Sequence, residues 1–232
     1  METSIEELEK SLSLKFKNKN SIKTAFIHRS YLNEHPEETL PHNERLEFLG
    51  DSVLGMLVSE YLYKKFPDHP EGDLTNFRSS LVNARILSQI SSSLNLGTFL
   101  YLSKGEESTG GRTRQYILAN TLEAFIGALF LDSGLEITNK FVLKYILPPL
   151  SEIIEKKLYK DFKSLLQERS QEEQGLTPIY KILKETGPDH EKTFLTGVYL
   201  GKKKISEGRG SSKQLAEQEA ARIALEIWTQ NV

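Results

Sequence analysis

The chain of 232 residues contains no cysteine, and it has little apolar sequence at its N-terminus. The absence of cysteine excludes disulfide scaffolds, thiolate nucleophiles and cysteine-based zinc sites. The first twenty residues are rich in charge and include no apolar stretch long enough for a signal peptide or a membrane span. We therefore expect a cytoplasmic protein with no membrane association.

The chain also has almost no net charge, since 30 basic residues face 32 acidic ones and leave a formal charge of −2. A nucleic acid would not be attracted by the bulk charge of such a protein, so any binding must come from local patches. The hydrophobic share of 38% and the charged share of 27% are typical of a globular protein. The length allows one large domain or two modest ones.

The periodicity of the apolar residues changes near residue 153. Residues 1–152 show one helical pattern after another, including 76–94 and 115–134, and Pro148 and Pro149 end the last of them. This part is predicted to be an all-α domain. Residues 153–160 are interpreted as a charged linker. Residues 161–232 show a helix, three strand-like runs and a final helix, which predicts a small α+β domain of order α-β-β-β-α.

The motif NERLEFLGDSVL, residues 43–54, places three carboxylates on one stripe of a helix that is predicted to begin after Asn43. Glu44, Glu47 and Asp51 stand at i, i+3 and i+7, and apolar residues surround them. An unpaired carboxylate beside apolar surface costs several kcal/mol or shifts its pKa, so a cation is its natural partner. The opposite face is predicted to be the core stripe, made of Leu46, Leu49, Val53, Met56 and Leu57.

A second apolar helix, within ILANTLEAFIGALFLD, carries few polar side chains, among them Asn120 and Glu123 on one face. Small residues at 119, 124, 127 and 128 would let another helix pack closely against it. If that helix is the one bearing the acids, four oxygen ligands face one another, which suits Mg²⁺ or Mn²⁺ better than zinc. These ligands are Glu47, Asp51, Asn120 and Glu123.

Other readings of these residues remain open at this point. Acids at helical spacing commonly form a solvated face, and a buried glutamate can pair with an arginine such as Arg45 or Arg78; spacing alone gives the two readings equal weight. A di-iron bundle does not fit, because neither Glu47 nor Glu123 is followed three residues later by histidine. His28, in AFIHRSY, is interpreted as a hydrogen-bonded structural histidine rather than a ligand or a base.

These motifs together resemble a known family. NERLEFLGDSVL resembles the signature of bacterial ribonuclease III, and AFIHRSY, EGDLTNFRSSLVN, the glycine loop at 105–111 and ILANTLEAFIGALFLD follow in the family's order. The tail is similar to the double-stranded-RNA-binding domain of these enzymes. The resemblance covers essentially the whole chain. It implies an all-α nuclease domain of the ribonuclease III fold that homodimerises and cuts both strands of duplex RNA.

The resemblance also implies roles for the acidic residues. Asp51 and Glu123 match catalytic acids; Glu47, Asp51, Asn120 and Glu123 match metal ligands, and Glu44 matches a supporting acid near the dimer interface. The family uses Mg²⁺, for which Mn²⁺ substitutes, to activate water, and it needs no small-molecule cofactor. Its products carry 5′-phosphates, 3′-hydroxyls and short 3′ overhangs, and its substrates include ribosomal-RNA precursors and some messenger RNAs.

One position departs from the commonest family pattern. Many members have aspartate where this chain has Asn120, whose amide oxygen can still bind a metal but contributes no negative charge. An alternative is therefore a catalytically impaired protein that binds double-stranded RNA on the same fold. A third reading is a structural helical dimer whose acids form salt bridges only.

RNA binding by residues 161–232 must depend on where charges lie, because 11 basic and 11 acidic residues balance there. Ser211 and Lys213 stand at the start of the last helix, where free backbone amides favour phosphate. Ser211 and Gln214 have the spacing of a capping box. Lys202, Lys203 and Lys204 are read either as a phosphate patch or as the solvated edge of a hairpin. The resemblance adds Gln167 and Glu168 on the first helix and His190 in the loop between strands one and two, contacts that recognise the shape of an RNA duplex.

Overall fold

The fold is taken from a computed structural model, which describes residues 4–155, 157, 159, 161–188 and 192–230. The chain forms two compact units, Met1–Tyr159 and Lys160–Val232. Each unit is described by itself.

In the described part of the first unit, all regular secondary structure is helical apart from a single bridge between Ile27 and Tyr101. This confirms the prediction of an all-α domain. Short 3₁₀ turns lie at Leu96–Phe99 and Gly111–Thr113, and a π-helical turn lies at Val142–Ile146. The α-helices are α1 (Ile5–Leu12), α2 (Lys19–Ala25), α3 (Arg29–Glu34), α4 (Glu44–Lys65), α5 (Glu71–Leu81), α6 (Ala84–Ser93), α7 (Lys104–Ser108), α8 (Gln115–Phe141) and α9 (Leu150–Glu155).

The prediction of one helix over residues 76–94 is wrong, because α5 ends at Leu81 and α6 begins at Ala84. The side chain of Asn83 causes the break. Its amide nitrogen donates to the carbonyl of Ser80 at 2.8 Å, and its oxygen accepts from the N–H of Ile86 at 3.1 Å. Asn83 thus satisfies the end of one helix and caps the start of the next.

Helix α8 is the central element of the unit. Its residues from Ile117 to Leu129 are buried except Asn120 and Glu123, and the helix is interrupted at Gly134, where φ is 77°. By length and composition alone, Gln115–Ile146 could cross a membrane, but 67% of its most apolar window is buried inside the structure. Its apolar character is thereby explained by its place in the core of the unit.

The second unit contains α10 (Phe162–Gln174), three antiparallel strands and α11 (Lys213–Gln230). The strands are β1 (Pro178–Thr186), β2 (Thr193–Leu200) and β3 (Lys203–Gly210), in the spatial order β1-β2-β3. This confirms the predicted order α-β-β-β-α. The core forms where the helices cover one face of the sheet, and it is made of Leu166, Val198, Ala220, Ala221 and Ala224.

Candidate active site and RNA-binding surface

The two helices that carry the predicted site meet backbone to backbone at a pair of glycines. A Cβ atom built on Gly50 of α4 would lie 1.7 Å from the carbonyl oxygen of Glu123 on α8. A Cβ atom built on Gly127 of α8 would lie 2.3 Å from the carbonyl oxygen of Leu46 on α4. No side chain fits at either position, so hydrogen alone at both sites lets the helices approach this closely. The crossing sets the distance between the acids of the two helices.

The four predicted ligands lie around this crossing and interact. The side chains of Glu47 and Asn120 hydrogen-bond to each other across the two helices. Glu123 is half-buried, and the negative charges of Asp51 and Glu47 act on it. Asp51 itself is exposed. The structure therefore brings Glu47, Asp51, Asn120 and Glu123 into one neighbourhood.

The pKa of Glu123 is raised to about 7, first because burial disfavours the charged carboxylate and then because Asp51 and Glu47 repel it. Burial also raises the pKa of Glu47; the hydrogen bond from Asn120 opposes this, while the charges of Glu44 and Asp51 add to it. A carboxyl group with a pKa near neutrality in a cluster of like charges is a pattern typical of functional sites, and a cation is a natural partner for it.

The arginine alternative is not supported. Among the residues that the structure describes, none of Glu47, Asp51 and Glu123 forms an ion pair with a basic side chain. Arg78, one of the two arginines considered, donates to the hydroxyl of Ser59 at 2.9 Å instead. The acids at the crossing are left without a cationic protein partner within the described part of the chain.

The predicted ligands do not form a complete metal-binding geometry in this structure. Over the described ranges, no three aspartate, glutamate, histidine or cysteine side chains are already arranged to hold a metal ion. The donor set nevertheless fits a hard divalent cation, since it consists of carboxylate and amide oxygens and has unrelieved negative charge. A bound cation would remove the repulsion that raises the pKa of Glu123.

Glu44 lies at the exposed start of α4, away from the crossing. Its carboxylate is 3.7 Å from the guanidinium of Arg29 and 3.8 Å from Nδ1 of His42. Asn43 stands at the predicted N-cap position, but its side chain makes no capping hydrogen bond and donates to the carbonyl of Ala25 at 3.2 Å. Asn43 therefore ties α4 to the segment that precedes α3.

A cavity of about 180 Å³ opens beside Glu44 and Glu47, and the sequence prediction missed it. Its wall combines acids from α4 with donors from the segment before α3 and from the start of α8. The signal for it is the motif AFIHRSY, in which the sequence favours a structural role for His28. The lining residues are His28, Arg29, Asn43, Glu44, Glu47, Tyr116, Ile117 and Asn120.

In the second unit, most of the predicted RNA contacts lie on the surface. Gln167 and Glu168 are exposed on α10, and the side chain of Lys213 is 59% exposed at the start of α11. Gln167 and Gln214 line one cavity, so the first helix and the start of the last helix share a face. The third predicted contact, His190, lies outside the described residues.

The capping prediction at the start of α11 is wrong by one residue. The hydroxyl that accepts from the N–H of Leu215, at 3.2 Å, belongs to Ser212 and not to Ser211. Ser211 is exposed just before the helix, and Gln214 faces the cavity. The ammonium of Lys213 lies 3.7 Å from the carboxylate of Glu185. Among the three clustered lysines, Lys204 pairs with Glu207 on the edge strand β3, as an edge-protecting lysine would.

Comparison with known proteins gives the same two parts. Residues 18–150 match the family model described as ribonuclease-III-like, and residues 162–227 match the double-stranded RNA binding motif. The chain is 47% identical over 220 residues to ribonuclease 3 of Carboxydothermus hydrogenoformans, covering 95% of this chain and 94% of that protein. It is 44% identical over 220 residues to ribonuclease 3 of Treponema denticola, covering 95% and 89%.

A solved structure agrees for the first unit. The nuclease domain of ribonuclease III from Campylobacter jejuni, described in connection with dimer formation, is 44% identical and superimposes with a TM-score of 0.57, covering 62% of this chain and 96% of that one. The helical nuclease fold, the following RNA-binding motif and these relatives define the class. The chain belongs to the ribonuclease III family of double-stranded-RNA endoribonucleases.

Proposed function

We propose that this chain hydrolyses double-stranded RNA with a divalent cation, Mg²⁺ or in its place Mn²⁺, at the crossing of α4 and α8. The observation that carries the proposal is the group of carboxylates around Gly50, which has no cationic protein partner among the described residues and in which the pKa of Glu123 is raised to about 7. Glu47, Asp51, Glu123 and the amide oxygen of Asn120 are the proposed ligands.

The cation would supply an acidified water and charge compensation for the phosphate that is attacked. The protein residues do the rest. Asp51 and Glu123 are the proposed catalytic acids, and their carboxylates would hold the cation and orient the water. Glu47 and Asn120 orient each other by their hydrogen bond. The half-buried position of Glu123 reduces the hydration of its carboxylate and would strengthen the attraction of a cation to it.

The proposed products and substrates are those of the ribonuclease III family. The products would carry 5′-phosphate and 3′-hydroxyl ends with short 3′ overhangs, and the substrates would be duplex regions of ribosomal-RNA precursors and of some messenger RNAs. The proposed location is the cytoplasm, with no membrane or small-molecule cofactor. In the second unit, Gln167, Glu168, His190, Ser211 and Lys213 are the proposed RNA contacts.

We further propose a homodimer, in which two copies of α4 face each other. Phe48 is 78% exposed although it lies one residue from the proposed ligand Glu47, and it borders a mostly apolar groove of about 670 Å³. Met56, predicted to be in the core, is instead 49% exposed on the same helix. Apolar side chains this exposed favour association. Glu44, which lines the same groove, would then lie near the interface.

Cleavage of a labelled RNA duplex with Mg²⁺ or with EDTA tests the nuclease proposal. We expect cleavage only with Mg²⁺ and its loss in Glu123→Gln, which keeps the size of the side chain. Asn120→Ala should lose activity and Asn120→Asp should keep it or gain. Binding without cleavage under all conditions would favour the impaired RNA-binding protein instead. Wild-type cleavage by Asn120→Ala would remove Asn120 from the ligand set.

The dimer is tested by sedimentation of the wild type and of Phe48→Glu. We expect the wild type to sediment as a dimer and the variant as a folded monomer, because a charge on the apolar surface opposes association. The control is Leu165→Glu, at an apolar side chain that is 44% exposed in the second unit. A dimer in Phe48→Glu that is as stable as the wild-type dimer would contradict the proposed interface.

A further inference from the structure

Of the two ring nitrogens of His28, Nδ1 alone forms hydrogen bonds with residues that the structure describes. Its Nδ1 lies 2.8 Å from the hydroxyl oxygen of Ser30 and 3.3 Å from the backbone N–H of the same residue. The Ser30 oxygen already accepts the N–H of Ser103 at 3.1 Å, so its own hydrogen is available to Nδ1. Nδ1 therefore accepts, and the hydrogen-bond network assigns the ring proton to Nε2.

The Nε2–H group of His28 is therefore available as a donor. Within the described part of the chain, Nδ1 alone among the ring nitrogens of His28 has hydrogen-bond partners. The imidazole lines the cavity together with Glu47 and Asn120, two of the proposed metal ligands. The interpretation of His28 as a structural histidine thus accounts for the hydrogen bonds of Nδ1 but gives no role to Nε2.

The backbone around His28 is held on both sides. Its N–H donates to the carbonyl of Tyr101 at 3.1 Å, and the preceding Ile27 accepts the N–H of Asn43 at 2.9 Å. The residue therefore joins the start of α4, which carries the acids, to the segment before α7. A side chain fixed in this way keeps its donor in one orientation and loses little entropy when it binds.

We propose that His28 contacts the RNA, its Nε2–H donating a hydrogen bond to a phosphate oxygen of the strand that is cut. The proposal rests on the nuclease function proposed above. The lining of the cavity includes Glu44 and Glu47, whose carboxylates repel phosphate unless a cation intervenes. It also includes His28 and Arg29, whose side chains can donate to a phosphate oxygen, and the guanidinium of Arg29 lies 3.7 Å from the carboxylate of Glu44.

Two substitutions separate the two ring nitrogens. In His28→Asn, the side-chain oxygen takes the place of Nδ1 and keeps the cap of α3, for which asparagine is well suited, but nothing occupies the Nε2 position. In His28→Gln, the amide nitrogen reaches toward the Nε2 position and the cap is lost. His69→Asn, at a histidine outside this cavity, is the control.

Thermal unfolding and steady-state cleavage of a labelled RNA duplex with Mg²⁺ are measured for all four proteins. We expect His28→Asn to melt with the wild type but to lose about 10- to 100-fold in kcat/KM, as for a lost hydrogen bond to a charged group. His28→Gln should recover part of the cleavage while melting lower, and His69→Asn should cleave normally. Wild-type cleavage by His28→Asn, or lost cleavage that follows melting temperature in both variants, would overturn the proposal.

Duplexes with single methylphosphonates provide a readout that a purely structural role would not change. At the contacted phosphate, the modification should slow the wild type and slow His28→Asn no further; equal additional losses at every position would overturn the contact. If the wild type does not cleave with Mg²⁺, the proposed function fails. If the wild type cleaves and His28→Asn cleaves equally well, only the role of His28 fails.

Discussion

Replacing Gly50 with alanine tests the contact on which the proposed site depends. The added Cβ would stand 1.7 Å from the carbonyl oxygen of Glu123, where ordinary contact begins near 3.4 Å. It would also lie 2.9 Å from the backbone nitrogen of Gly127. These atoms belong to a helix backbone and cannot rotate away, so α4 and α8 must separate by well over an ångström.

The cost can be estimated against a matched glycine on the same helix. Gly55 has no atom within 4 Å of its hypothetical Cβ, so Gly55→Ala should stabilise α4 by about 0.5–1 kcal/mol through helix propensity. Gly50→Ala gains the same propensity but overpacks the crossing, for which we expect a net loss of about 3 kcal/mol. For a domain of this size, that lowers Tm by roughly 6–12 °C.

Gly50→Ala should reduce the rate of RNA cleavage more strongly than it reduces the free energy of unfolding. A misplacement of about 1 Å in a reacting constellation costs on the order of 100-fold in rate, and the separated helices move Glu123 away from Glu47 and Asp51 by at least that much. The loss of stability is measured by urea unfolding at two protein concentrations, which separates it from an effect on association. The loss of activity is measured by Mg²⁺-dependent cleavage. If Gly50→Ala were as stable and as active as Gly55→Ala, the backbone contact at the crossing would be refuted.

Two further predictions concern charge. In metal-free buffer, Glu123→Gln should be more stable than the wild type at pH 8 but not at pH 4.5. The reason is that the pKa of Glu123 in the folded state, about 7, lies above its ordinary value of 4.5. The contribution of this group to the free energy of unfolding is therefore full below pH 4.5 and is lost as the pH rises through 7. Allowing for partial exposure of the carboxyl, urea unfolding should show a gain of about 1–2 kcal/mol at pH 8, and a gain independent of pH would contradict the raised pKa. Lys213→Ala should weaken binding to all RNA duplexes alike and reduce the slope of log affinity against log salt by about one, measured by anisotropy. Lys204→Ala, whose ammonium pairs with Glu207, should change that slope less, and equal slopes in all three proteins would remove Lys213 from the phosphate contacts.

The class of each unit could be predicted from the sequence because helix and strand periods differ and are carried by many residues. Single side chains that compete for the backbone were harder to foresee. Asn83 divides a stretch that is helical by period, and Ser212 rather than Ser211 caps α11. Both outcomes depend on which of several polar side chains reaches a free N–H, which the local sequence alone does not determine.

Burial on α4 was predicted least well, and for a related reason. Met56 has the helical spacing of a core residue, but it is 49% exposed. Helical spacing indicates which residues share a face, but it cannot tell an apolar face that meets its own core from one that meets a second chain. For the same reason, the sequence does not show whether Phe48 is buried, whereas the structure shows that its side chain is exposed.

The proposed ligands could be named from the sequence because they are oxygen-bearing residues within otherwise apolar helices. The distance between them could not be predicted, since it is set by a contact between Gly50 and Gly127. Only Gly127 belongs to the group of small residues from which close packing is predicted. Because both positions are glycine, the distance between the acids of the two helices is set by contact between two rigid backbones and not by flexible side chains. A site built in this way can tolerate an amide at position 120, because Asn120 keeps its hydrogen bond to Glu47 without adding a charge to an already repulsive group. We therefore expect Asn120→Asp to bind a cation more tightly but to be the less stable protein when no cation is present, and calorimetric titration beside unfolding in EDTA would show whether the two effects have opposite signs.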